Sequence, residues 1–291
     1  LTPIPFVVTI HDLILTRFPS RRASTLPATF YWFKQAAYRF VIKTAIRRAR
    51  RVIAVSEFTR RDIIGRFKAK SEKIVVTYEG VADLSKNEMP AVPVNPENIL
   101  NNYHLHKPFL LYVGNAYPHK NLERLVSAFS VLRHHHPELS LVLVGKDDYF
   151  YQRVKNKAKM LGLWRKDGTE SPVIFPGYVP DVDLKIFYQQ ARLYVFPSLY
   201  EGFGLPPLEA MAHGCPVASS NQASLPEIIG EAAMYFNPYD EKEIVSSLDN
   251  LLADETRRRN LVASGYKRIQ LFSWQECARQ TLAIYRQALK K

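Results

Sequence analysis

The sequence predicts two α/β domains, each built on a parallel sheet. Three features of the 291-residue chain carry that reading. Short runs rich in Val, Ile and Leu recur without apolar–polar alternation, as strands buried on both faces do. Helical patterns separate these runs, which makes a βαβ series. Residues 84–107 then lose periodicity, with Pro90, Pro93 and Pro96 among Asn95, Asn98, Asn101 and Asn102. That composition predicts an interdomain linker running into a short lead-in helix.

The elements follow in order. Pro5 to Ile10 reads as a buried strand, Val52 to Val55 as a second and Lys73 to Thr77 as a third. A long helical pattern spans Pro27 to Arg48. Beyond the linker, Phe109 to Val113 is an unbroken apolar run. Leu122, Leu125, Val126, Phe129 and Leu132 follow at the spacing of an amphipathic helix. Leu139 to Val144, Val173 to Phe175, Leu193 to Phe196, Pro216 to Ala218 and Ala233 to Phe236 complete the second set of strands. In parallel sheets of this kind ligands bind beyond the C-terminal strand ends. The informative loops are therefore those after Val113, Val144, Phe175 and Phe196.

Composition narrows the class. At 47% hydrophobic and 23% charged, the chain is an ordinary globular one, with no apolar run near the length of a membrane span. Cys215 and Cys277 stand far apart and form no motif, which fits a reducing compartment. The net charge of +13 admits nucleic acid, an anionic membrane surface or phosphorylated substrates as partners. Arg39, Lys43, Arg47 and Arg50 recur at helical spacing, either as a solvated helix face or as a membrane-facing patch. Tyr31, Trp32, Phe33, Tyr38 and Phe40 lie beside them. No nucleic-acid reader motif accompanies the charge, so nucleic acid is not expected. His134, His135 and His136 are consecutive; on a helix such residues point about 100° apart and cannot converge on one metal ion.

Chemistry concentrates in Glu201-Gly202-Phe203-Gly204-Leu205-Pro206-Pro207-Leu208-Glu209, directly after a predicted strand. Two glycines permit a tight turn and close approach to a ligand. Pro206 and Pro207 suit the first turn of a helix. The amides of Phe203, Gly204 and Leu205 then face outward at a helix start, a cradle for phosphate. Glu201 and Glu209 would repel phosphate, so hydroxyl groups, as on a sugar, are their expected partners. Asp181-Val182-Asp183 reads as a helix cap rather than a metal site. No G-x-G-x-x-G follows a strand, which argues against a dinucleotide dehydrogenase.

The nine-residue stretch resembles the E-x7-E motif of retaining glycosyltransferases with the GT-B fold, specifically glycosyltransferase family four. The similarity continues along the chain in the right order: Val7 to Leu13 with His11, Val55 to Arg60, Gly80-Val81, Tyr112 to Gly114 with His119-Lys120-Asn121, Gly177 to Pro180, and Phe272-Ser273-Trp274. The resemblance implies two Rossmann-like domains with parallel sheets. They divide as residues 1–95, the acceptor-side domain with linker; 96–272, the nucleotide-sugar-binding domain; and 273–291, a closing helix returning to the first domain. In this family the His-bearing strand follows several βα units. Here it lies within the first ten residues, so the resemblance implies a first domain truncated at its N-terminus, and a chain that binds nucleotide but transfers little sugar alone.

Site roles are implied residue by residue. His11 would sit at the anomeric end of the donor, and Lys120 would neutralise the departing diphosphate. Glu201 would hold donor hydroxyls, and Glu209 the ribose hydroxyls. The amides from Gly202 and Phe203 through Gly204 and Leu205 would meet sugar and phosphate. Val179 would bind the base through its backbone beside Tyr178, and Gly114 with Asn115 would shape the phosphate loop. Relatives often carry an arginine where Asn115 or His119 stands, and an asparagine where Glu79 stands.

The implied reaction moves a hexose, with mannose from GDP preferred, to a glycan or lipid-linked acceptor, with retention, no metal and no further cofactor. The expected place is cytoplasmic, as the cysteines suggest, and the membrane-facing reading of the basic patch would make it peripheral at the inner membrane face. A GT-B nucleotide-sugar epimerase and a basic nucleic-acid-binding protein remain the alternatives; product analysis separates the first, salt-sensitive DNA affinity the second.

Overall fold

The computed structural model describes residues 4–18, 27–81, 95–165 and 171–289. Among these, nine strands form two sheets, both fully parallel. The first holds β1 (Val7–Ile10), β2 (Arg51–Ala54) and β3 (Ile74–Val76), in that order. The helices α1 (Ile14–Arg17), α2 (Ala28–Arg48) and α3 (Glu57–Phe67) connect them. α2 lays Ile42 and Ile46 against Val52, Ala54, Ile10 and Leu13. α3 starts at Ser56, whose hydroxyl accepts the Thr59 amide at 3.0 Å, and stops at Lys68, held at φ +53°.

Two expectations need correction here. β1 is not a buried strand: it lies at one edge of the order given above, and only its Ile10 is buried while Thr9 is exposed. Nor does Arg50 share a helix face with Arg39, Lys43 and Arg47. α2 ends at Arg48, and the Arg50 guanidinium turns away to the Ala288 carbonyl at 2.6 Å.

The second sheet has six strands. Its elements run α4 (Pro96–Asn102), β4 (Phe109–Val113), α5 (Leu122–Leu132), β5 (Ser140–Val144), α6 (Tyr149–Met160), β6 (Val173–Gly177), α7 (Asp181–Gln190) and β7 (Leu193–Phe196). They continue as α8 (Leu205–Ala212), β8 (Val217–Ser220), α9 (Leu225–Ile229), β9 (Ala233–Phe236), α10 (Glu241–Ala253), α11 (Glu255–Ile269) and α12 (Trp274–Leu289). The spatial order is β6-β5-β4-β7-β8-β9. The chain thus winds outward from β4 on one side, then returns and winds outward from β7 on the other. That order reverses between the C-terminal ends of β4 and β7, which is where sheets of this kind form their ligand crevice. Phe109 to Tyr112 and all of β7 are fully buried, which explains why neither strand alternates.

The chain then comes back to the first sheet. Val81 bridges to Ser273, and α12 packs on β2. A Cβ at Gly80 would stand 2.2 Å from the Trp274 amide nitrogen, so only glycine fits this crossing. At α7 the expected cap is displaced by one residue. Pro180 occupies the cap position, Asp181 is already in the first turn, and Asp183 accepts at 2.7 Å the hydroxyl of Tyr103, which ends α4. Among the described residues no helix is long and apolar enough to cross a membrane.

Candidate active site

Two loops at the β4/β7 crevice face each other. After β4, Gly114 adopts φ +150°, and a Cβ there would lie 2.8 Å from the Tyr112 hydroxyl. That hydroxyl donates to the Asn115 carbonyl at 2.8 Å, leaving the Asn115 side chain exposed. A one-turn 3₁₀ segment, Pro118–Lys120, then aims Lys120 back at the crevice. His119 is buried and pressed by burial and by Lys120 down to about 3, so it stays neutral and supplies no charge. Its carbonyl takes the Leu199 amide at 2.7 Å, tying this loop to the one after β7.

The loop after β7 carries Glu201, Gly202, Phe203 and Gly204 into α8. Gly204 is the cap residue at φ +120°, with Pro206 in the first turn. The Ser224 hydroxyl is shared by the carbonyls of Glu201 and Phe203 at 3.0 and 2.7 Å, which fixes the loop from below. Among the described residues the amides of Phe203 and Gly204 make no hydrogen bond. The loops meet at one ion pair: Lys120 Nζ lies 2.7 Å from Glu201 Oε1, with the side chains only 12% and 10% exposed. Lys120 also stands over the Phe196 ring.

One helical face further on, Glu209 accepts the Tyr188 hydroxyl of α7 at 3.3 Å. Burial raises the Glu209 carboxyl above the usual carboxylate range, and the tyrosine hydrogen bond opposes that. His213 stacks on Tyr188 and lies 2.8 Å from the Glu209 carbonyl through Nδ1. Tyr188 carries no motif of its own and is missed by sequence reasoning. At the end of β6, Gly177 (φ +79°) turns the chain so that Val179 is buried while Tyr178 is 76% exposed.

The first sheet closes the other side. A Cβ on Gly202 would sit 1.8 Å from the His11 carbonyl oxygen, so the end of β1 rests directly on the loop after β7. Gly202 in turn receives the Ser56 and Thr59 hydroxyls on its carbonyl at 2.6 and 3.0 Å. Glu227 of α9 caps α3 across the cleft, accepting the Glu57 and Phe58 amides at 2.7 and 2.8 Å. Tyr200 donates to the buried Asp62 at 2.7 Å. Ser56, Thr59, Glu227 and Asp62 hold the two sheets together here, and nothing in their local sequence announces their partners.

His11 itself is 68% exposed at its side chain and lies 2.8 Å from Glu79 through Nδ1. The hydrogen bond to Glu79, then its charge and that of Asp12, raise the imidazole above its ordinary 6.5 against the pull of burial. The pair's contribution to stability is therefore complete below 6.5 and fades as pH rises through the raised folded value. Glu79→Gln is expected to move the His11 titration midpoint downward, as followed by its ring proton resonance. An unmoved midpoint would separate Glu79 from His11 in solution.

The structure thus brings His11, Gly114, Lys120, Glu201 to Leu205 and Glu209 around one crevice built from both sheets. Residues 100–268 match the family model for glycosyl transferases group 1, more than half of the chain. The chain belongs to the group 1 glycosyl transferases. Residues 1–83 match the model for Glycosyltransferase Family 4. Among curated relatives, O-antigen chain mannosyltransferase B of Escherichia coli is 35% identical, over 82% of this chain and 61% of its own length. O-antigen chain mannosyltransferase RfbU of Salmonella typhimurium is 30% identical, over 89% of this chain and 65% of its own. The chain therefore spans less than two thirds of either relative.

Among solved structures, sucrose-phosphate synthase from Thermosynechococcus elongatus superposes with a TM-score of 0.75 at 27% identity, covering 97% of this chain and 67% of that one. WaaG, a glycosyltransferase involved in lipopolysaccharide biosynthesis, gives 0.75 at 17% identity, over 97% of this chain and 75% of its own. The fold is GT-B.

Proposed function

We propose that this crevice transfers mannose from a nucleotide-sugar to a glycan or lipid-linked acceptor, with retention and without a divalent metal. The single observation that carries the reading is the Lys120–Glu201 pair beneath the start of α8. Breaking a sugar–diphosphate bond builds negative charge on the leaving oxygen and positive character on the sugar. Lys120 and the amides of Phe203 and Gly204 offer donors to the first. As diphosphate engages Lys120, Glu201 is released to accept sugar hydroxyls a few ångströms away. Glu209, held by Tyr188, accepts the ribose hydroxyls. His11 borders the opposite side, with the acceptor entering from the first sheet. The names of the curated relatives, both mannosyltransferases, support mannose as the sugar.

Glu209→Gln is expected to weaken nucleotide binding by a factor of roughly 10–100, the worth of a hydrogen bond to a charged group, while turnover of bound donor changes little. Calorimetry on parent and variant measures this, and equal affinities would remove Glu209 from the donor site.

The reaction is tested on the full-length protein with labelled GDP-mannose, UDP-glucose and ADP-glucose and a lipid-linked oligosaccharide acceptor, in excess EDTA. The reading expects transfer from GDP-mannose and an axial anomeric linkage by NMR. An equatorial product refutes retention. Release of a free sugar isomer without transfer indicates an epimerase. Activity lost in EDTA and restored by Mg²⁺ refutes metal independence.

A further inference from the structure

α2 carries two apolar faces where a surface helix normally carries one. Tyr31, Gln35, Ile42 and Ile46 point inward, with Tyr31, Gln35 and Ile46 buried and Ile42 packed on the core of the first sheet. Phe30, Phe33, Phe40 and Val41 point outward and are 68%, 77%, 68% and 60% exposed. At about 100° per residue, this outer group centres roughly 160° around the helix from the buried one. Ala37 joins it, also exposed. Exposed Arg39, Lys43 and Arg47 run along one flank of the outer stripe, and exposed Lys34 lies on the other.

We propose that the outer stripe of α2 is a docking surface for an anionic lipid bilayer. Three rings and a valine in one row form an apolar face opposite the core, and cations border it. This is the build of a helix lying in a membrane interface, with its rings among the acyl chains and its charges at the headgroups. Charge complementarity selects the occupant. α2 carries no Asp or Glu, so every charge along the stripe is positive, and a bilayer rich in anionic lipid attracts each such cation. A helix or loop of the same layer would cover α2 on its flanks. Those flanks hold Arg39, Lys43 and Lys34; the apolar row is on the side away from the sheet. Nearby, a cavity of about 460 Å³ is lined by Arg39, Lys43, Arg66 and Lys68 with Phe40 and Phe67. Its four cations and two rings suit a lipid phosphate and the first carbons beneath it.

The sequence pattern alone groups Tyr31 and Tyr38 with these aromatics. The structure removes both: Tyr31 is buried, and Tyr38 is half-buried and raised above its ordinary value first by that burial. The docking face is the row from Phe30 to Val41 instead.

The test is vesicle co-sedimentation of the full-length protein, with phosphatidylcholine alone and with phosphatidylglycerol at about a third of the lipid, at low and high salt. Parent, Phe33→Ser/Phe40→Ser and Arg39→Gln/Lys43→Gln proteins are compared. All these side chains are exposed, and equal melting temperatures verify the fold. Binding is expected only with phosphatidylglycerol. The ring pair should weaken it by about tenfold or more, and the charge pair should weaken it and flatten its salt dependence. Three results would overturn the proposal. The first is binding that ignores lipid charge or these substitutions. The second is lipid-independent self-association that the ring pair abolishes, which makes the face a dimer interface. The third is labelling of a Phe33→Cys variant blocked in the lipid-free monomer, which makes another segment of the protein its cover.

Discussion

Lys120→Met is expected to lower the transfer rate by a factor of roughly 100–1000 while keeping the fold. The loss is that of one preorganised donor to a leaving oxygen. Methionine preserves most of the volume over the Phe196 ring, so packing is not the main change. What changes is electrostatic, and it has two parts. The departing diphosphate loses its cation, and the Glu201 carboxylate, 10% exposed, loses its partner. A buried charge left unpaired costs stability. Lys120→Met/Glu201→Gln should therefore regain melting temperature without regaining rate. The recovered melting temperature would trace the lost stability to the unpaired carboxylate, and a Lys120→Met protein whose rate falls only in proportion to its folded fraction would make Lys120 a residue of the fold. Turnover in saturating donor reads the rate, and calorimetry reads stability.

Gly202→Ala is expected to reduce transfer by at least about 100-fold, through position rather than charge. The added Cβ would lie 1.8 Å from the His11 carbonyl oxygen and 2.8 Å from its carbon. Both are backbone atoms, so no rotamer relieves the clash. The Ser56 and Thr59 hydroxyls grip the Gly202 carbonyl and resist a shift of the loop. The two sheets must then separate where they meet over the crevice. Nucleotide affinity should fall far less than rate, since Glu209, Tyr188 and Val179 belong to the second sheet and its helices alone. Stability should drop by about 1–3 kcal/mol, as overpacking costs. Steady-state kinetics and calorimetry on the same preparation test the split, and a proportional loss of both would show that the contact does not govern alignment.

The residues differ in how openly they show their roles in sequence. β4, β7 and β9 have the bounds that their apolar runs predict, and in β4 and β7 burial on both faces erases alternation. The loop from Glu201 to Leu205 was legible too: glycines, prolines and a helix start are local features. The partners across space were not. Lys120 meets Glu201 from 81 positions away, His11 meets Glu79 from 68, and Glu227 reaches Glu57 from 170. Periodicity reports which side of an element is apolar, and it is silent on which side chain lies opposite. The same limit explains β1 and α2. A strand of Val and Ile reads as buried whether it is central or at an edge. A helix with apolar rows on opposite sides loses the contrast that marks its outer face.

The central claim is that one crevice, built by Lys120, Glu201 and Glu209 at the β4/β7 switch point, holds a nucleotide-sugar. Thermal stabilisation across GDP-, UDP- and ADP-sugars tests it most directly. At about 100 times the dissociation constant, a bound ligand adds about 2.7 kcal/mol. For a domain of this size that raises the melting temperature by roughly 5–10 °C. The account predicts such a rise with GDP-mannose for the parent protein, a smaller one for Glu209→Gln, and the smallest for Lys120→Met/Glu209→Gln. An equal rise in all three proteins, or none with any nucleotide-sugar, would contradict it.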